Sequence, residues 1–187
     1  MGILFGVLIK KIFFLVLMLC IFFPLSLSAQ VDEYLVKAVW FEKFTRFIEW
    51  PEGSVVNQST GDFVIGVYGT NPFGTTLEKV YKNQKIKNKD VEIRYLNKLT
   101  QIGECNMVFI CESEKENLLQ IIEMYKTKPV LLVSEMQGAA ESGVHVNFYI
   151  SQSKILFEIN ESAARQSGLY MSFRLLNVAK VINPVKG

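Results

Sequence analysis

Histidine is almost absent from this chain. A single ring, His145, excludes multi-histidine metal sites and leaves any acid–base scheme resting on one imidazole. It sits between Val144 and Val146 in an apolar run that reads as strand, where a structural or surface histidine is expected. Cysteine is scarce too, with 3 in 187 residues. Cys105 and Cys111 flank Asn106 to Ile110 in what reads as one strand, whose rise would hold them roughly 20 Å apart, beyond disulfide reach. They would face the same side as buried thiols. Also missing are a nucleophile elbow, a Walker loop, a zincin helix and a cysteine pair at metal spacing. These absences count against an enzyme and against a bound metal or cofactor, and favour a binding or regulatory module.

What is present begins with an export signal. Lys10 and Lys11, the uncharged apolar run Ile12 to Leu25, and the small residues Ser26, Ser28 and Ala29 form the three parts of a signal peptide over residues 1–29. The destination is the periplasm. An uncleaved inner-membrane anchor is the alternative, since Met1 to Ile9 lengthens the apolar stretch toward the roughly 20 residues a span requires. Residues 30–187 then have the length of one domain with its own core. Without Lys10 and Lys11, Lys and Arg fall from 20 to the 18 that Asp and Glu also number, a balance that argues against nucleic-acid binding. The local basic cluster Lys82 to Lys89 reads as a solvated turn.

Along that domain, Val36, Trp40, Phe44, Phe47 and Ile48 recur at helical spacing over Asp32 to Ile48, with Lys37, Glu42, Lys43 and Arg46 assigned to the opposite face. Trp50-Pro51 ends the helix. Phe63 to Tyr68 is a buried strand, and Asn71 with Pro72 opens a helix through Val80. Val91, Ile93 and Tyr95 alternate as a half-buried strand, and Met107 to Cys111 is an apolar one. Ser113 and Glu116 form a capping box ahead of a helix ending near Tyr125. Pro129 to Val133 is the next strand.

Val144 to Ile150 and Ile155 to Ile159 flank the short polar link Ser151 to Lys154 as a hairpin. Asn160 caps a helix reaching Gln166, and Ser172 caps a last helix with Phe173, Leu175, Leu176, Val178, Ala179 and Ile182 on its apolar side. The order implies an α/β single domain: a mostly parallel mixed sheet flanked by helices, with a C-terminal β-hairpin and two short helices.

Two features invite a ligand. Gly66, Gly69 and Gly74 in GVYGTNPFG lie between strand and helix, but their spacing is not the dinucleotide fingerprint and Pro72 removes an amide donor, so a tight turn is expected. Trp40, Phe41, Phe44, Phe47 and Trp50 could line an aromatic pocket. Core packing accounts for most of them, and Trp50, beyond the helix end, is the one with a prospect of touching a ligand or partner.

Glu33 to Pro51 (EYLVKAVWFEKFTRFIEWP), Phe63 to Gly74, Phe157 to Leu169 (FEINESAARQSGL) and Met171 to Ile182 (MSFRLLNVAKVI), in this order after a signal peptide, resemble the YfiR-like family of exported bacterial proteins. Val133 to Gly143 (VSEMQGAAESG) fits the same pattern. The resemblance implies a periplasmic regulator that holds off a membrane-bound signalling protein, a diguanylate cyclase or sensor kinase, and is released by an outer-membrane lipoprotein or redox stress. A homodimer is compatible with it. The family's understood member uses two intrachain disulfides, whereas residues 30–187 hold two cysteines, which speaks against redox control of that design. Glu158, Asn160, Arg174, Asn177 and Trp50 are the motif positions with polar or aromatic chemistry suited to partner or ligand contact. The rival reading is a periplasmic small-molecule binding protein with an aromatic-lined pocket near Trp40 and Trp50.

Overall fold

Short runs rich in Val, Ile and Phe, each closed by turn residues, build a seven-stranded sheet, beside which Ile48–Glu49 and Tyr170–Met171 form an antiparallel pair of their own. In the computed structural model, which describes residues 26–57 and 61–182, the strands are β1 (Ile48–Glu49), β2 (Phe63–Tyr68), β3 (Val91–Leu96), β4 (Met107–Ile110), β5 (Leu131–Ser134), β6 (Val146–Ser151), β7 (Lys154–Ile159), β8 (Tyr170–Met171) and β9 (Lys180–Val181). Helices α1 (Ser26–Phe47), α2 (Thr76–Tyr81), α3 (Leu118–Tyr125), α4 (Ala139–Ser142), α5 (Glu161–Gln166) and α6 (Phe173–Leu176) connect or cover them. Most of the expected signal segment lies outside the described residues. No helix among those residues is long and apolar enough to cross a membrane.

Seven strands form the sheet in the order β3-β2-β4-β5-β6-β7-β9. From β3 to β6 all pairings are parallel, β7 turns back antiparallel to β6, and β9 runs parallel to β7. The expected α/β class, with its hairpin and two short C-terminal helices, is the observed one. Gln152 and Ser153 close the hairpin with φ of 49° and 58°, the left-handed pair that a two-residue primed turn requires.

Alternation along the strands splits the interior in two. Ile65, Val67, Met107, Phe109, Val133 and Phe148 face a core covered by α1, while Val64, Val108, Ile110 and Leu132 face another covered by α3. Phe41 packs on Phe109 and Phe148, and Phe44 on Phe148 and Phe157, at ring separations of 5.0–6.4 Å. Each fully buried phenylalanine contributes about 1.5–3 kcal/mol of transfer free energy.

Several local expectations are corrected. The buried stripe of α1 is Lys37, Ala38, Phe41, Phe44 and Thr45 and continues into Ile48 of β1, so Lys37 points inward and Val36 is exposed. Asn71 caps no helix: its Oδ1 accepts from Phe73 N–H at 2.8 Å and its Nδ2 donates to the Gly74 carbonyl at 2.9 Å, an Asx turn, and α2 begins only at Thr76. Ser113 forms no capping box because its hydroxyl accepts the Thr70 N–H at 2.9 Å instead. That contact needs Gly69, whose φ is +103° and whose added Cβ would lie 2.5 Å from Ser113 Oγ. The glycine-rich link is thus a tight turn.

Cys105 and Cys111 lie on opposite faces of the sheet, since Cys105 ends a 3-10 turn before β4 starts. Both are unpaired and buried, and burial pushes their thiols up to about 11 and about 12. The last helix stops at Leu176 and Lys180–Val181 becomes β9, which leaves Phe173 and Val178 exposed instead of on an apolar inner side.

Candidate functional site

The chain leaves β2 to form β3 on one side and returns to form β4 on the other. A cleft lies beyond the carboxyl ends of β4 and β5, on the side of the sheet where open α/β folds bind their ligands. The loops leaving β2, β4 and β5 begin at Gly69, Cys111 and Glu135. The helical arithmetic that buries Phe41, Phe44 and Ile48 carries the same stripe back to Lys37. Its side chain is 2% exposed, and its ammonium donates to Glu33 one turn earlier and to Glu135 after β5. Tyr34 completes the group, donating its hydroxyl to Glu135 Oε1 at 3.0 Å. Burial, followed by the Glu135 carboxylate, pushes that phenol well above its ordinary range.

Beside this network opens that cleft, of about 600 Å³, whose walls include Glu112, Glu135, Glu141, Asn147, Glu158 and Lys180. Glu158 sits at its β7 wall, nearly buried, accepting from Lys180 Nζ at 2.7 Å. The register that opposes Glu158 to Lys180 comes from the β7–β9 pairing. Acidic groups outnumber the two lysines, so the cleft presents negative potential to whatever approaches it. Among the described residues no three His, Cys, Asp or Glu side chains are placed to hold one metal ion.

The five residues singled out by sequence do not form one constellation. Glu158 is in the cleft. Arg174 and Asn177 are exposed on and just after α6, in the segment that runs into Lys180 at the cleft rim, and their neighbours Phe173 and Val178 are 73% and 63% exposed. Asn160 is a fold residue. Its Oδ1 accepts from Ala163 N–H at 2.9 Å to cap α5, and its Nδ2 donates to the Ala140 carbonyl at 2.7 Å. Trp50 lies at the other end of the sheet, 5% exposed and edge-on to Phe63. Trp40 stacks on Phe44 and packs on Phe157, so the two tryptophans do not line one pocket.

Sequence reasoning missed Tyr34, Lys37 and Glu135. The available signal was a Glu33–Lys37 pair at helical i,i+4 spacing on the buried stripe, together with Glu135 just past an apolar strand.

His145 is buried between β5 and α5. Its Nδ1 accepts the Leu132 N–H at 3.1 Å and its Nε2 meets Ser167 Oγ at 3.0 Å, while Ser167 donates to the Lys126 carbonyl at 3.1 Å. These partners fix the neutral ring with its proton on Nε2, and burial lowers its pKa to about 3. The imidazole clamps backbone and has no lone pair free for a substrate.

A sequence profile built on YfiR/HmsC-like proteins matches residues 34–180. The chain belongs to the YfiR/HmsC-like family. That span begins at Tyr34 of the buried network and ends at Lys180 of the cleft rim, so the family domain includes both ends of the site. No curated protein matches the chain. Among solved structures, similar chains include the ABC domain from Streptococcus pneumonia in complex with L-Trp, at 12% identity and a TM-score of 0.46. The match covers 64% of this YfiR/HmsC-like chain and 55% of that one, so this chain spans little more than half of its length.

Proposed function

We propose that this protein is an exported regulator, working in the periplasm, that binds the extracytoplasmic part of a membrane-bound signalling protein such as a diguanylate cyclase and biases its activity without catalysing a reaction. Membership of the YfiR/HmsC-like family over residues 34–180 carries this reading. Residues 1–29 act as the export signal. The exposed segment holding Phe173, Arg174, Asn177, Val178 and Lys180 supports it chemically, because an exposed aromatic beside an arginine is the composition that protein interfaces favour. Binding would act by preferring one of two receptor states, and its leverage is its difference in affinity for them.

In-cell crosslinking of the tagged protein, followed by mass spectrometry, tests the reading. Recovery of an inner-membrane cyclase or sensor kinase, lost in Phe173→Asp while the purified variant keeps its thermal midpoint, is the expected result. Recovery of the protein alone, with unchanged cyclic-di-GMP on deletion of the gene, would remove the regulatory reading.

A further inference from the structure

Interiors rarely leave polar atoms unpartnered, since well over nine in ten buried groups find a hydrogen bond. Among the described residues, four buried side-chain atoms have none: Trp50 Nε1, Ser54 Oγ, Asn147 Oδ1 and Ser172 Oγ. Two of these four residues, Trp50 and Ser54, line the same cavity of about 420 Å³ at the amino ends of β2, β4 and β5, far along the strands from the acidic cleft. The turn closed by Ser54 N–H on the Pro51 carbonyl at 3.1 Å folds Ser54 back beside Trp50. Neighbouring polar groups are already satisfied. Asn106 Oδ1 accepts from Val64 N–H at 2.7 Å, and Tyr125 donates to the Leu99 carbonyl at 2.7 Å.

The chemistry of the two unpartnered groups narrows the occupant. An indole N–H can only donate, and a serine hydroxyl beside it can donate as well, so together they call for an acceptor oxygen. The remaining wall, from Val56, Val64, Val130 and the Tyr125 ring, calls for an apolar body. Lys128 lies on the cavity wall with Glu104, and the Lys87 ammonium stands 5.4 Å from the Trp50 ring centre. Glu49 offsets Lys87 and Arg94 pairs with Glu104 at 3.6 Å, so Lys128 is the wall's uncompensated cation and favours an anionic acceptor over a neutral one. The volume is within the range of small-molecule sites and well above that of a single water.

We propose that this cavity binds a small monocarboxylate with an apolar chain, its oxygens accepting from Trp50 Nε1 and Ser54 Oγ. This site is independent of the partner reading.

The test uses the full chain carrying Trp40→Phe, which leaves Trp50 as its one tryptophan, titrated with hexanoate, hexan-1-ol and hexylamine as probes. Trp50 emission is expected to change saturably with hexanoate, to need about tenfold more hexan-1-ol, and not to respond to hexylamine, tenfold being the step that one charge-assisted hydrogen bond supplies. Ser54→Ala should weaken hexanoate by a similar factor, and calorimetry on Trp50→Phe should show a loss at least as large. Equal responses to all three probes would mean non-specific partitioning and overturn the proposal. So would a flat titration, with both groups satisfied by ordered water in a crystal structure. Should Ser54→Ala fail to fold, the ranking of the three probes on the parent decides alone.

Discussion

Replacing Lys37 by methionine isolates the energetics of the buried network. Methionine keeps the length and apolar stem of lysine and removes only the ammonium, so the helix and its packing are conserved. The Glu135 carboxylate, 17% exposed, then loses its cation while still facing Tyr34, and Glu33, 24% exposed, can turn toward water. Breaking a buried pair from one side costs 3–5 kcal/mol, and the partial exposure of both carboxylates places this case near the lower end, at about 3 kcal/mol. At 2–4 °C per kcal/mol for a domain of this size, the thermal midpoint should fall by about 6–12 °C.

Adding Glu135→Gln to Lys37→Met removes the stranded charge, and the double variant should recover more than about 1 kcal/mol of the loss, a non-additivity that a double-mutant cycle measures directly. Urea unfolding followed by circular dichroism, with an unchanged denaturant slope, is the assay. A loss below about 1 kcal/mol, with additive single effects, would mean that the pair behaves as a solvated surface bridge and that Lys37 is not buried in solution.

Three further outcomes follow from the same geometry. His145 is held neutral to about 3 in the folded state, whereas the unfolded ring titrates near 6.5, so below that value the unfolded chain binds the extra proton. Its contribution is therefore intact above about pH 6.5 and declines by about 1.4 kcal/mol per unit on acidification toward 3, and His145→Leu should flatten the urea midpoint between pH 7 and 5. Gly69→Ala should cost about 1–3 kcal/mol, more than Gly74→Ala, because the new Cβ at Gly69 meets Ser113 Oγ at 2.5 Å while nothing lies within 4 Å at Gly74, and equal thermal midpoints would refute the close approach. With no ligand present, Ser54→Ala should leave stability unchanged or raise it by up to about 1 kcal/mol, since it deletes an unpartnered hydroxyl, and a clear loss by denaturant titration would show that the hydroxyl has a partner.

The architecture was legible because it is written in long signals: apolar runs bounded by turns, an amphipathic first helix, the polar link of the hairpin and the Asn160 cap. What was lost depended on competition between partners far apart in sequence. Ser113 lies at the right spacing from Glu116 for a capping box, yet Thr70 N–H from another loop takes its hydroxyl. Strand β9 has two residues, too short for any periodicity, and exists through its pairing with Glu158 and Ile159. The rotation of α1 was misjudged by placing Lys37 outside on its charge alone. Its burial rests on Glu33 and on Glu135, 98 residues away. The candidate site was accordingly legible in part: Glu158 lines it, Arg174 and Asn177 are exposed in the segment that leads to Lys180, Asn160 serves the fold, and Trp50 belongs to the opposite edge.

The two edges of the sheet treat their polar groups in opposite ways, and this difference separates docking from ligand capture. At the carboxyl edge, Lys37 meets Glu33 and Glu135, and Lys180 meets Glu158, so the buried charges are neutralised within the chain. What such an edge can offer is its exposed remainder, Glu112 and Glu141, which suits a broad macromolecular contact whose affinity comes from area and charge. At the amino edge the balance is reversed. Trp50 Nε1 and Ser54 Oγ are buried beside a largely apolar wall and lack partners, so the unsatisfied demand is local, directional and small. A surface partner cannot meet that demand without entering the cavity, whereas a small molecule with one acceptor end can.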